Sequence, residues 1–135
     1  MANITTYLAN KLVDHATGKA AYTMPTTTYV ALYKASPTIA GTQTNEVGTG
    51  AASYARVALG PTVANAGAAE NTNQLTWTQA GTGETCGTVT HWAVLDALTT
   101  GNMLFFGELD PDMAITAGMQ YIIAAGALDL SIVLT

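Results

Sequence analysis

Three residues in the second half of the chain have the types that nucleophilic catalysis needs: Cys86, His91 and Asp96. A thiol nucleophile, an imidazole base and a carboxylate that orients the base must lie within hydrogen-bond reach of one another. His91 and Asp96 are five positions apart. On a continuous strand an odd separation sends side chains to opposite faces, which argues against a triad. Asp110 and Asp112, with Glu108 nearby, could offer oxygen to a cation. A calcium ion takes about six to eight such ligands, so two acids around Pro111 read as a solvated corner. His15 and His91 lie too far apart for a zinc spacing. A single cysteine allows neither an intramolecular disulfide nor a cysteine-based metal centre. The glycines form no GxGxxG after a strand and no Walker pattern. His91, beside Trp92, therefore reads as a partly buried strand histidine, and Cys86 as a small apolar residue near a turn. No catalytic residue, cofactor or metal is expected, and the chain does not read as an enzyme.

Composition narrows the partners. The 135 residues are 49% hydrophobic and only 10% charged, against about 25% charged in an average globular protein. That excludes a disordered chain and gives room for one domain, taken as residues 1–135. Net charge is −5, and Lys11, Lys19, Lys34 and Arg56 are the whole basic complement. No patch of these could follow a phosphate backbone or an anionic bilayer, so neither nucleic acid nor membrane is expected as a partner. The longest apolar run, residues 121–128, is far short of the roughly 18 residues of a membrane span. The N-terminus lacks the basic start and apolar core of a signal peptide, so synthesis in a cytoplasm is expected. Threonine and alanine each supply about one residue in six. A neutral, threonine-rich surface suits permanent contact with neighbours, and equally a small β protein with a threonine-rich exterior.

The elements that must position these residues are mostly strands. Residues 2–17 form the exception. Ile4, Leu8 and Leu12 repeat every four residues, Asn3 or Thr5 can cap the start, and Gly18 can end the helix. His15 falls near its C-terminal end, facing solvent. Beyond Gly18 the period becomes two. Strands are predicted over residues 28–33, 53–59, 88–95, 102–109, 113–116, 121–125 and 128–134, with a half-buried one around Leu75 and Trp77. Tyr54, Arg56 and Ala58 share one face; Trp92 and Val94 lie opposite Val89, His91, Ala93 and Leu95. Leu128, Leu130, Ile132 and Leu134 point inward. Residues 35–51, with Pro37, Gly41, Gly48 and Gly50, read as a long loop, residues 64–73 as a small polar stretch, and Gly81, Gly83 and Gly87 bracket a turn. Asp110-Pro111-Asp112 breaks the strand before it. Trp77 and Trp92 read as core residues, and Tyr29, Tyr33 and Tyr54 as core packing with hydroxyls at the rim. Short turns between strands and one helix at an end predict a mainly β fold: an antiparallel β-sandwich with an N-terminal α-helix or arm.

The order of these features resembles a family of small virion proteins from tailed bacteriophages, often labelled tail fibre or minor structural proteins. The likeness is carried by residues 3–15, by Tyr29-Val30-Ala31-Leu32-Tyr33, Glu46-Val47-Gly48 and Ser53-Tyr54-Ala55-Arg56-Val57. Trp77, Gly87-Thr88-Val89-Thr90-His91-Trp92, Gly101-Asn102-Met103-Leu104 and Ala125-Gly126-Ala127-Leu128 continue it. Glu84-Thr85-Cys86 ahead of Gly87 is a departure. The resemblance implies a non-enzymatic virion component. It is read as a capsid decoration (cement) protein stabilising the head, with a tail or tail-fibre component as the alternative. Implied partners are the major capsid protein or other virion proteins and further copies of the chain, as a trimer. Tyr7, Leu8, Lys11 and Leu12 on the N-terminal helix are the candidate contact residues.

Overall fold

The computed structural model describes residues 2–48, 53–78, 81 and 86–132. The chain runs β1 (Ala2–Ile4), α1 (Thr6–Ala16), β2 (Tyr29–Tyr33), β3 (Val57–Ala58), β4 (Ala68–Glu70), β5 (Leu75–Thr76), β6 (Gly87–Leu95), β7 (Met103–Ile115), β8 (Ile122–Ile123) and β9 (Asp129–Ser131). One antiparallel sheet of five strands has the order β1-β7-β6-β2-β3, and two antiparallel ribbons pair β4 with β9 and β5 with β8. The fold is mainly β with one helix, as the alternation predicts.

The centre is the β6–β7 hairpin. Asp96 closes it: its carboxylate accepts from the Asn102 backbone N–H at 2.7 Å and from the Asn102 amide at 2.9 Å. Gly101 makes the turn possible. Its φ is +78°, and a Cβ there would stand 2.5 Å from Asp96 Oδ1 and 2.7 Å from Ala97 Cβ.

Two apolar layers form on the two faces of this sheet. On one face Val30, Leu32, Val89, Trp92, Val94 and Leu104 meet Leu75, Trp77, Tyr121, Ile123, Leu128 and Leu130 from the ribbon side. Trp77 and Tyr121 meet edge to face at 5.7 Å. This is the sandwich core, and each large side chain buried there contributes about 1.5–3 kcal/mol. Leu8 of α1 closes into the same core. On the other face lie Ala31, Tyr33, Ala93, Leu95, Met103 and Phe106. Loop 35–46 runs across them. Ile39 O accepts from Thr6 N at 2.9 Å, a Cβ on Gly41 would stand 3.1 Å from Met103 Cβ, and Pro37 is fully buried.

The structure corrects several boundaries. The helix does not span residues 2–17. Ala2, Asn3 and Ile4 pair with Gly107, Phe106 and Phe105 at the sheet edge, because an open strand edge offers them backbone partners that a helix N-terminus does not. Thr5, and not Asn3, is the N-cap. Its Oγ1 accepts from Leu8 N at 3.4 Å and donates to Met103 O at 2.6 Å. Val89 shares the face of Trp92 and Val94, against expectation. Val89 pairs with Met113 and His91 with Glu108, so β7 uses five residues where β6 uses two and the parity changes. That irregularity also takes in Asp110-Pro111-Asp112, which lies inside one long strand instead of ending it. The ladder to β6 skips residues 109–112, so Pro111 has no bond to donate there. A second irregularity makes Leu104 an extra residue, since Val94 pairs with Phe105 and Leu95 with Met103. The strand over 53–59 contracts to β3, the small polar stretch holds β4, and Ile132, expected inward, is 43% exposed. Gly50, Gly83, Glu84, Thr85 and Leu134 lie outside the described residues.

Thr5→Val keeps the shape and removes both the cap and the bond to Met103 O. We expect it to cost about 1–2 kcal/mol in urea unfolding with an unchanged m value. Asn3→Ala, at the exposed position that was the other cap candidate, should change stability by less than about 0.5 kcal/mol. Equal effects of the two would show that the cap is not where the stability lies.

Candidate functional site

The residues with catalytic types are not brought together. Cys86 is buried in the sandwich core, whereas His91 follows the parity change and faces the opposite side of the sheet. Asp96 is engaged with Asn102. Asp110, Asp112 and Glu108 do not gather either: among the described residues no three His, Cys, Asp or Glu side chains converge to hold a metal ion. His15 is exposed, and its Nδ1 accepts from Tyr22 N at 3.0 Å, which fastens the segment after the helix.

The densest polar chemistry lies elsewhere, around Arg56. Its Nε and one terminal nitrogen reach the two Glu46 oxygens at 2.8 and 2.7 Å. The same terminal nitrogen donates to Gln43 Oε1 at 3.0 Å. The other donates to Ala97 O at 2.8 Å and Thr100 O at 2.7 Å. Five N–H groups thus meet five acceptors, the full capacity of a guanidinium. Side-chain exposure is 4% for Arg56 and 16% for Glu46. Burial works against the Arg56 charge, but the hydrogen bonds and charge of Glu46 outweigh it and raise the pKa. Tyr54 extends the network, donating to Glu46 Oε1 at 3.0 Å and accepting from Leu32 N at 3.0 Å. Burial first, and Glu46 second, push both Tyr54 and Tyr33 far above the ordinary tyrosine range. Tyr33 is fully buried and its hydroxyl has no partner, so the expected rim hydroxyl is an internal one. The cluster holds loop 35–46 and the turn over residues 96–101 in place, and a hollow of about 340 Å³ lined by Glu46, Tyr54, Arg56 and Thr100 among others opens beside it.

His91 borders an open groove on the same face of the sheet. His91 Nδ1 and Thr90 Oγ1 are 2.7 Å apart, and His91 Nε2 lies 3.8 Å from Glu108 Oε1. One hollow of about 320 Å³ is lined by Asn3, Ser36, His91, Phe106 and Glu108, and a second of about 450 Å³ by Lys34, Thr90, His91, Glu108 and Asp112 among others. Sequence reasoning missed this pairing, since Glu108 faces His91 only through the register of β6 and β7.

The candidate contact residues on α1 divide. Leu8 is 4% exposed and belongs to this chain's own core. Tyr7 and Leu12 are half-buried against it. Lys11 is exposed, with its ammonium 5.8 Å from the Tyr7 ring centre.

Fold and site together define a small, mainly β sandwich whose buried polar groups fix its own loops. The profile of the podophage GP4 fiber I protein gp80 family matches residues 3–131, and the chain belongs to that family. It is a structural protein of the phage virion, of the fibre-labelled kind. No curated protein matches it.

Two predictions follow from the Arg56 cluster. Arg56→Lys supplies the charge without the planar fork and leaves Glu46, Gln43 and two carbonyls short of donors. It should cost about 3–5 kcal/mol in urea unfolding, close to the loss from Arg56→Ala; near-complete rescue by lysine would show that charge alone matters. The two tyrosines should separate. Tyr33→Phe removes an unpartnered hydroxyl and should be neutral or stabilising by up to about 1 kcal/mol, while Tyr54→Phe orphans Leu32 N–H and should lose about 1–3 kcal/mol. Unfolded, both hydroxyls ionise near pH 10; folded, they keep their protons to higher pH. Above about pH 10 the unfolded chain therefore binds fewer protons, and stability falls by up to about 1.4 kcal/mol per pH unit for each tyrosine. Unfolding midpoints between about pH 8 and 11 should show this slope, shallower in Tyr33→Phe; identical slopes would refute the assignment.

Proposed function

We propose that this chain is a component of the podophage tail fibre, working by packing against other virion proteins and against further copies of itself, and transforming no substrate. The family match over residues 3–131 carries this reading, because the family is described as a fibre protein. It favours the tail-fibre placement over the head decoration that the resemblance first implies. Two further features support a contact role. Only 10% of the residues are charged, so faces that meet a neighbour have little charge to strip of water. Large apolar side chains also stand out singly on the surface, with Val63 at 93%, Met24 at 79% and Ile39 at 63% exposure. A trimer, implied by the resemblance, is the assembly state proposed.

Purified virions test the placement. Gold-labelled antibody to this chain should decorate the tail fibres in electron micrographs. Quantitative mass spectrometry should give a copy number that is a small multiple of the tail symmetry. Labelling spread over the head, with copies comparable to the major capsid protein, would overturn the fibre reading in favour of decoration. Absence from mature particles would overturn both.

A further inference from the structure

We propose that the two-hollow groove over His91 and Glu108 binds a neutral saccharide, one hydroxyl of which bridges His91 Nε2 and Glu108 Oε1. The two hollows share this pair of side chains, so a short chain of sugar units laid across the groove would pass over both. The volumes, about 320 and 450 Å³, fall in the range of about 300–1,000 Å³ typical of small-molecule sites.

The chemistry selects the ligand class. The separation of 3.8 Å between His91 Nε2 and Glu108 Oε1 is too long for a direct hydrogen bond and suits one intervening oxygen. In the tautomer in which Thr90 Oγ1 donates to His91 Nδ1, at 2.7 Å, Nε2 carries the proton on the Glu108 side. A hydroxyl there accepts from Nε2 and donates to the carboxylate; a sugar hydroxyl does both. The neighbours continue the pattern. Ser36 Oγ accepts from Thr38 N at 3.3 Å and keeps its own proton to give. Asn3 lines one hollow, and Lys34 and Asp112 line the other. Two carboxylates against one ammonium disfavour a phosphate or an acidic sugar. The absence of three converging ligands among the described residues disfavours a metal ion.

The platform is rigid where it needs to be. His91 sits in the middle of β6, paired to Tyr33 on one side and Glu108 on the other, and its side chain is only 14% exposed. Sites held on strands keep their geometry better than sites on loops. The Lys34 stem is seated over Gly87, where a Cβ would come within 3.1 Å of Lys34 Cδ. Given the fibre role proposed above, a cell-surface glycan is the natural source of such a ligand.

The test is a titration of the isolated full chain, labelled with ¹⁵N, with glucose, galactose, mannose, N-acetylglucosamine and disaccharides of these at millimolar concentrations. At least one should shift the amide signals of residues around Asn3, Ser36, His91 and Glu108 and leave the Arg56 cluster unmoved. Glu108→Gln, at a side chain 83% exposed, should keep the spectrum of the folded protein and weaken binding at least about tenfold, the loss of one charge-assisted bond. Asn3→Ala should weaken it less. No shift with any of these sugars, shifts unchanged in Glu108→Gln, or stronger shifts with inorganic phosphate would each overturn the proposal. Because the titration needs no virion, its failure is distinct from a failure of the fibre placement.

Discussion

The buried ion pair of Arg56 and Glu46 is the interaction on which the second face of this molecule depends. The sandwich core has strands on both sides, so its backbone partners are supplied by ladders. The opposite face of the sheet is covered by loop 35–46, whose pairing with the sheet is one bridge between Glu46 and Tyr33. Beyond that bridge, the far end of the loop is held by one guanidinium, bonded to Glu46 and Gln43 in the loop and to Ala97 and Thr100 in the β6–β7 turn. Gln43 adds a direct bond to Gly101 O at 2.8 Å. A buried charge is costly unless fully hydrogen-bonded. Here all five donors are used, and the pair gains specificity from the fixed fork of its N–H groups. Loop 35–46, Arg56 and the turn over residues 96–101 are therefore held in one arrangement by a planar fork that lysine lacks.

The few charges of this chain are thus unevenly used. Arg56, Glu46 and Asp96 hold internal loops in place, and the Glu70 carboxylate packs beside Gly126, where even a Cβ would stand at an ordinary contact of 3.5 Å. Neutral side chains carry much of the outer surface. A chain built this way spends much of its charge on its own folding and leaves isolated apolar residues such as Val63, Met24 and Ile39 at the surface. That division fits a protein that assembles in a particle, where each contact is modest and many are repeated.

What could be read from the sequence and what could not differ by range. The β6–β7 hairpin, β2 and the body of α1 follow from local alternation and spacing, and the structure contains them. Alternation fails wherever pairing partners differ in length. Val89 and Leu104 are placed by irregularities in the β6–β7 ladder that neither strand encodes alone. Ala2 to Ile4 had helix spacing but took a strand edge supplied by a segment about a hundred residues away. The Arg56 cluster was only half visible. Alternation puts Tyr54 and Arg56 on one face, and they do share Glu46. The acid itself lay in what read as loop, and a pair of this kind is decided by three-dimensional closure. A usable signal existed: an arginine inside an otherwise apolar alternation, in a chain with four basic residues, must find a partner when that strand packs. His91 reads as a partly buried strand residue and is one, whereas Glu108 opposite it follows only from the register.

The cluster and the groove are connected through one stretch of chain. Lys34 and Ser36, which line the groove, stand at the start of the loop whose far end Glu46 and Arg56 hold. Lys34 N donates to Asn45 O, and Val47 N donates to Leu32 O, so the two ends of the loop close on β2 beside the ion pair. In between, Ile39 is tied to the start of α1, and Gly41 is pressed onto Met103. The loop therefore spans the sheet as a strap fixed at both ends and once in the middle. Ser36 owes its place over His91 to that strap, not to any regular element. A rigid histidine on β6 and a hydroxyl carried by a clamped loop give a recognition surface its geometry without a further strand. The same arrangement explains why the strongest buried polar network lies some distance from the open groove: it fixes the loop that completes it.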